Sequence, residues 1–132
     1  MTRLLLDTTF LIDTEGTGGD LDAAIDDDDD VAIAAITVAE LRVGVLLARG
    51  GRRADRESFF AEVAETIPIV DYDSGVAEAH AALLVQVRGQ GTPRGAHDLM
   101  TAATAKHTRR TILSADASAF ENLDGVQTKT HR

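Results

Sequence analysis

Apolar positions along this chain fall into two kinds of run. Short unbroken ones, within Arg3–Leu6, Val31–Ala34, Ile67–Val70 and Thr111–Leu113, have the length and β-type composition of buried strands. Longer segments with helical spacing lie between them. Val38, Leu41 and Val45 share one face of a helix predicted from Thr37 to about Ala48. Thr37 followed by Glu40 is a capping-box pattern at its start, and Gly50 and Gly51 end it. A further helix is predicted from about Arg53 to Glu65. Asp73 or Ser74 caps the next one, whose apolar stripe is Val76, His80, Leu83 and Val87. "GQGTPRG" is a loop. A helix rich in small residues, about His97 to Lys106, leads to the fourth strand, which ends at Ser114. A short helical turn follows Asp116, and Val126–Thr128 reads as a last strand. Near the amino terminus, Gly16, Gly18 and Gly19 mark a loop before a short helix around Leu21–Ile25.

Strands alternating with helices predict an α/β fold: one domain over residues 1–132, with a mainly parallel sheet sandwiched between helices. Sites in such sheets form beyond the carboxyl ends of the strands. Four acids stand at such places. Asp7 ends the first strand, in "RLLLDTTFLID". Glu40 lies in the first turn of the helix after the second strand. Asp98 lies in the first turn of the alanine-rich helix, and Asp116 stands two residues beyond Ser114.

Each acid has a structural reading. Glu40 completes the capping box, Asp98 and Asp116 favour the positive ends of helices, and Asp7 caps a turn. Brought together in a partly dry pocket, the four would repel one another strongly. A divalent cation removes that cost. Hard ions such as Mg2+ or Mn2+ take oxygen ligands, and a carboxylate cluster without His or Cys points to phosphate chemistry.

Composition narrows the setting. The chain has 44% hydrophobic residues, enough for one core, and no cysteine, which excludes disulfides, thiolate zinc and a cysteine nucleophile. No apolar run approaches the roughly 18–20 residues of a membrane span. A soluble cytoplasmic protein is the expectation. The net charge of −9 argues against nucleic-acid binding through a broadly basic surface. Bound metal can reverse the sign locally. The five acids Asp26 to Asp30 read as a solvated loop or fraying helix end, without the glycine turn and ligand spacing of a calcium loop.

"LLLDTTFLID", "ITVAEL" with its following "RVG", "GAHDLMTAATA" and "TILSADASAF", in this order and spacing, resemble the PIN domain of VapC-type toxins from bacterial toxin–antitoxin pairs. The pieces span nearly the whole chain. The resemblance implies a parallel sheet between helices, an acidic pocket at one edge, and a Mg2+- or Mn2+-dependent endoribonuclease. Carried over position by position, the metal-site acids are Asp7, Glu40, Asp98 and Asp116. In the family the fourth acid is the most variable ligand. Thr8 matches a polar position beside the first acid, and Ser114 stands where similar proteins often have Thr. Either hydroxyl orients water or phosphate, or satisfies local backbone. The implied reaction is hydrolysis of an RNA phosphodiester by metal-activated water. The implied partners are a VapB-like antitoxin that inserts a tail into the active-site groove and a second copy of the chain, with operator DNA reached only through the antitoxin.

Other residues complete the picture. Asp13 and Asp20 read as loop or helix-end residues. His97 is expected on a different side of its helix from Asp98, and His80 as packed on its stripe. Phe59 and Phe60 read as core and interface. Arg52, Arg53 and Arg56 with Arg49 form one basic cluster, and Lys106, Arg109 and Arg110 another. Both read as solvated faces or as phosphate contacts. Arg94, in the loop before Asp98, is a further candidate for touching RNA, with Arg52 and Arg53. One Tyr and no Trp argue against extensive base stacking. The competing reading keeps the fold without catalysis: a PIN-like subunit of a DNA-binding regulatory complex with its antitoxin. A phosphotransfer protein fits less well. Thr9 stands where aspartyl-phosphate phosphatases have a second Asp, and no late lysine stands at a strand end as receiver domains require.

Overall fold

The computed structural model describes residues 1–16, 25–91 and 93–130. The expected helix around Leu21–Ile25 and the residue Asp20 fall outside the described residues, apart from Ile25 itself. The elements in chain order are β1 (Arg3–Leu6), α1 (Thr8–Gly16), β2 (Asp30–Ala34), α2 (Ala35–Leu47), α3 (Gly50–Thr66) and β3 (Ile69–Val70). Then come α4 (Ser74–Gln90), α5 (Ala96–Thr108), β4 (Thr111–Ser114), a 3-10 turn (Ala117–Phe120) and β5 (Thr128–Thr130).

The five strands form one sheet in the order β3-β2-β1-β4-β5, every neighbouring pair parallel. A sheet covered on both faces explains the unbroken Leu4-Leu5-Leu6 run, because successive side chains point to opposite sides. Leu5 packs with Val76, Leu83, Leu99 and Ala102 of α4 and α5. Leu4 and Leu6 pack with Phe10, Leu11, Leu41 and Val63 of α1, α2 and α3. The result is the expected helix–sheet–helix sandwich. Helices α4 and α5 approach so closely that a Cβ at Gly75 would overlap the His107 ring. Asp73 caps α4 as expected, its Oδ1 accepting from the Val76 N–H at 2.9 Å.

Several expectations are corrected. The stretch after Asp7 is a helix, α1, which the sequence did not announce: Thr8 and Thr9 are β-branched and the element is short. The Thr37–Glu40 capping box does not form. Helix α2 starts earlier, directly from β2, with Ala34 as N-cap and no side-chain cap. Thr37 is already inside the helix and fully buried, and Glu40 falls in its second turn. Gly50 opens α3 rather than ending α2, and its φ of +60° is one that glycine adopts without strain. The last strand lies two residues later than expected. The acidic run is only partly a solvated loop. Asp29 Oδ2 accepts from the Asp26 N–H, while Asp30 begins β2 and pairs with Arg3 and Arg110. Among the described residues no helix is long and apolar enough to cross a membrane.

Candidate functional site

The strand order reverses between β1 and β4, and the crevice beyond their carboxyl ends is where doubly wound sheets build sites. Asp7 stands at the end of β1, its N–H bonded to the Leu113 carbonyl at 2.9 Å and its carbonyl accepting from the Leu11 N–H. It is only 5% exposed. Two hydroxyls hold its carboxylate: Thr9 Oγ1 at 2.8 Å and Ser114 Oγ at 2.9 Å, both on Oδ2. Those two hydroxyls lie 3.0 Å apart. Buried carboxylates need such donors.

Glu40 reaches the same region from α2. Thr8 Oγ1, in the first turn of α1, donates to Glu40 Oε1 at 2.7 Å and touches the Thr37 hydroxyl at 3.3 Å. On the other side, His97 Nδ1 lies 3.4 Å from Glu40 Oε2. His97 therefore faces the acids rather than a different side of its helix.

Asp98, at the start of α5, is half-buried. Its carboxyl is held above the usual carboxylate range, first by burial, then by the negative fields of Asp7, Glu40 and Asp116. His97 acts weakly in the opposite sense. The carboxylate folds back over the N-cap, so that a Cβ at Gly95 would come within 3.0 Å of Oδ2. Asp116 is exposed at the crevice rim. Its N–H donates to Ser114 Oγ at 3.0 Å, and its Oδ1 accepts from the Ser118 N–H at 3.1 Å and from the Ser118 hydroxyl.

The fold thus brings Asp7, Glu40, Asp98 and Asp116 to one crevice, with Thr8 and Ser114 as internal donors to two of them. No three of these acids place their oxygens within 4.8 Å of one another. Among the described residues the trio that does is Asp26, Asp28 and Asp29, at the surface. The crevice set fits a hard cation by its chemistry: oxygen donors only, several of one charge, and one carboxyl already carrying the cost of repulsion.

The remaining candidates stand elsewhere. Arg94 is half-buried and braces the chain, with Nη1 and Nη2 donating to the carbonyls of Ala119 (3.0 Å) and Glu121 (2.6 Å). Arg52 and Arg53 are exposed on α3. His80 is half-buried and bonded to the Tyr72 hydroxyl at 2.7 Å. Sequence reasoning missed Thr9, Gly95 and the approach of His97. Thr9 stands two residues beyond an acid, a spacing typical of side-chain turns, which was the available signal. Nothing in the sequence marked Gly95.

The PIN domain family matches residues 4–126. Ribonuclease VapC5 of Mycobacterium tuberculosis is 37% identical over 125 residues, covering 92% of this chain and 88% of the relative. Toxin FitB of Neisseria gonorrhoeae is 32% identical over 100 residues, covering 73% of this chain and 72% of the relative. Among solved structures, VapBC-5 from Mycobacterium tuberculosis, of the VapBC family of toxin–antitoxin systems, superposes with a TM-score of 0.81. It is 28% identical and covers 98% of this chain and 99% of that one. Sequence, fold and the crevice at the sheet's reversal agree, and the chain belongs to the PIN domain family, in its VapC-type branch.

Proposed function

We propose that this chain is a metal-dependent endoribonuclease and the toxin of a type II toxin–antitoxin pair, a single PIN-like domain acting in the cytoplasm. The observation that carries this reading is the convergence of three acids, Asp7, Glu40 and Asp116, on Asp98, whose carboxyl is raised by burial and by their negative fields. Asp7, Glu40, Asp98 and Asp116 would hold Mg2+ or Mn2+. When bound, such an ion would offset the negative charge of the scissile phosphate and make water a better nucleophile near neutral pH.

The chain's own residues divide the remaining work. Thr9 and Ser114 fix Asp7, and Thr8 fixes Glu40, so the acids are held before substrate arrives. A carboxylate of this cluster would orient the water that attacks the phosphodiester in line. No protein nucleophile is required. The names of the relatives, ribonuclease and toxin, support the substrate class.

The partner follows from what lies beside Glu40. Ile12, Leu41, Gly44, Phe59 and Phe60 line a small apolar hollow that opens next to this carboxylate, with Arg56 at its side. An antitoxin tail with apolar side chains and a basic residue would fill the hollow and neutralise the acids. A second copy of the chain has exposed apolar surface available at Leu46, Leu47 and Val85.

The test is cleavage of a total RNA pool by purified, antitoxin-free protein in Mg2+ and in Mn2+, with chelator and Asp98→Asn alongside. Discrete cleavage that needs metal and is lost in the variant is expected. Cleavage persisting in Asp98→Asn would remove the assignment. The intact set of acids favours this reading over the non-catalytic regulatory subunit.

A further inference from the structure

At the end of the strands opposite the acids, Lys106 and Arg109 line an open hollow of about 210 Å³ together with Arg110, Thr111, Gly125 and Gln127. Acids outnumber Lys and Arg 22 to 13 in this chain, so a carboxylate partner should be easy to find. Yet among the described residues neither Lys106 nor Arg109 has one. Arg110, its side chain only 10% exposed, is tied through Nη1 to the carbonyls of Leu4 and Asp30 and to the Asp30 carboxylate. Its Nε is buried with no acceptor. Arg109 holds the left-handed conformation (φ 56°, ψ 47°) that closes α5, a place where Gly or Asn fits more readily. A cation is kept there against that preference.

The edge strand links this hollow to the acids. β5 leaves Gln127 at the rim and runs parallel to β4, with Ile112 opposite Thr128, Leu113 opposite Lys129 and Ser114 opposite Thr130. Lys129 is exposed halfway along. From Arg110 to Ser114 the strand advances about 13 Å, at roughly 3.3 Å per residue. Cations at the end of α5 also offset its dipole. That explains the sign of Lys106 and Arg109, but not of Lys129.

We infer that the Lys106–Arg109–Arg110 hollow binds a phosphate of the RNA strand and that β5 carries the intervening chain past Lys129 to the acids. The scissile bond is thereby set at a fixed distance from an anchored phosphate. This rests on the ribonuclease reading for its substrate, but the binding is measured without cleavage.

The experiment is fluorescence anisotropy of a labelled single-stranded RNA with the full chain in chelator, over a series of salt concentrations. It compares wild type, the double variant Lys106→Gln/Arg109→Asn, and Arg88→Gln, an exposed cation on α4. Asn suits the left-handed position, so the double variant keeps its fold. Affinity is expected to fall about tenfold in the double variant, with the log–log salt slope shallower by roughly 0.7 for each phosphate that is no longer neutralised. Arg88→Gln should leave the slope in place. Inorganic phosphate alone should shift the Gly125 and Gln127 amide resonances. An unchanged slope in the double variant, or an equal change in Arg88→Gln, would overturn the inference. So would phosphate shifts without any effect on RNA, which would leave an adventitious ion only. Wild-type cleavage in metal, run in parallel, separates the two readings. Binding through the hollow without cleavage sinks only the hydrolytic reading, and cleavage with an unchanged slope sinks only this inference.

Discussion

Thr8 Oγ1 donates a 2.7 Å hydrogen bond to Glu40 Oε1, fastening a carboxylate on α2 to the first turn of α1. The two residues are 32 apart in sequence, and Thr8 is only 7% exposed, so the bond is short and shielded. Removing its donor leaves the acid free to rotate and one oxygen short of a partner.

Thr8→Val, which keeps the shape and deletes the hydroxyl, should therefore cost about 1 kcal/mol of stability. Metal affinity should fall about tenfold, the equivalent of roughly 1.4 kcal/mol. Thermal unfolding and Mn2+ titration check the two effects separately.

Ser114→Ala strikes two acids at once. Ser114 Oγ donates to Asp7 and accepts from the Asp116 N–H, and the residue is fully buried. A loss of about 1–3 kcal/mol is expected, larger than for Thr8→Val, because a buried carboxylate oxygen and an N–H both lose a partner. Ser114→Thr keeps the hydroxyl and should retain most activity. Denaturant unfolding and the cleavage assay measure both.

The raised carboxyl of Asp98 fixes a sign for pH dependence. The folded metal-free protein binds this proton more tightly than the unfolded chain does. Its contribution to stability is therefore favourable on the acid side, and declines as pH rises from the usual carboxylate range through the raised value. Asp98→Asn removes the repulsion, so the metal-free variant should melt higher than wild type at pH 7, with the gap closing in acid. Calorimetry in chelator at several pH values checks this. An Asp98→Asn protein that melts lower at pH 7 would contradict it.

Metal should reverse that order. Binding to the folded state alone stabilises by about 2.7 kcal/mol at a concentration 100 times the dissociation constant. Wild type should gain this in Mg2+ or Mn2+, and Asp98→Asn should gain little. The readout is Tm against metal concentration.

Much of this fold is legible in the chain because strand and helix periods differ. Strands β1, β2 and β4 lie within one residue of their expected ends, and Asp73 caps α4 as its position suggests. The four acids stand out because strand ends and helix starts can be read locally. What failed was information that local pattern does not carry. A Thr-x-x-Glu motif looks the same whether Thr precedes a helix or, like Thr37, lies buried inside one. Helix α1 is stabilised by burying Phe10 and Leu11 against the sheet, not by propensity. His97 beside Glu40 and Asp98 folded back over Gly95 depend on how α2 and α5 meet, which no single segment encodes.

The most direct test of the central claim is Mn2+ binding, followed by the electron paramagnetic resonance of the ion. Wild type is compared with Asp98→Asn and with Asp28→Asn/Asp29→Asn, which dismantles the surface trio. If the crevice acids hold the metal, saturable binding disappears in Asp98→Asn, together with RNA cleavage, and survives in the surface double variant. Binding that persists in Asp98→Asn and vanishes with Asp28 and Asp29 would contradict the account.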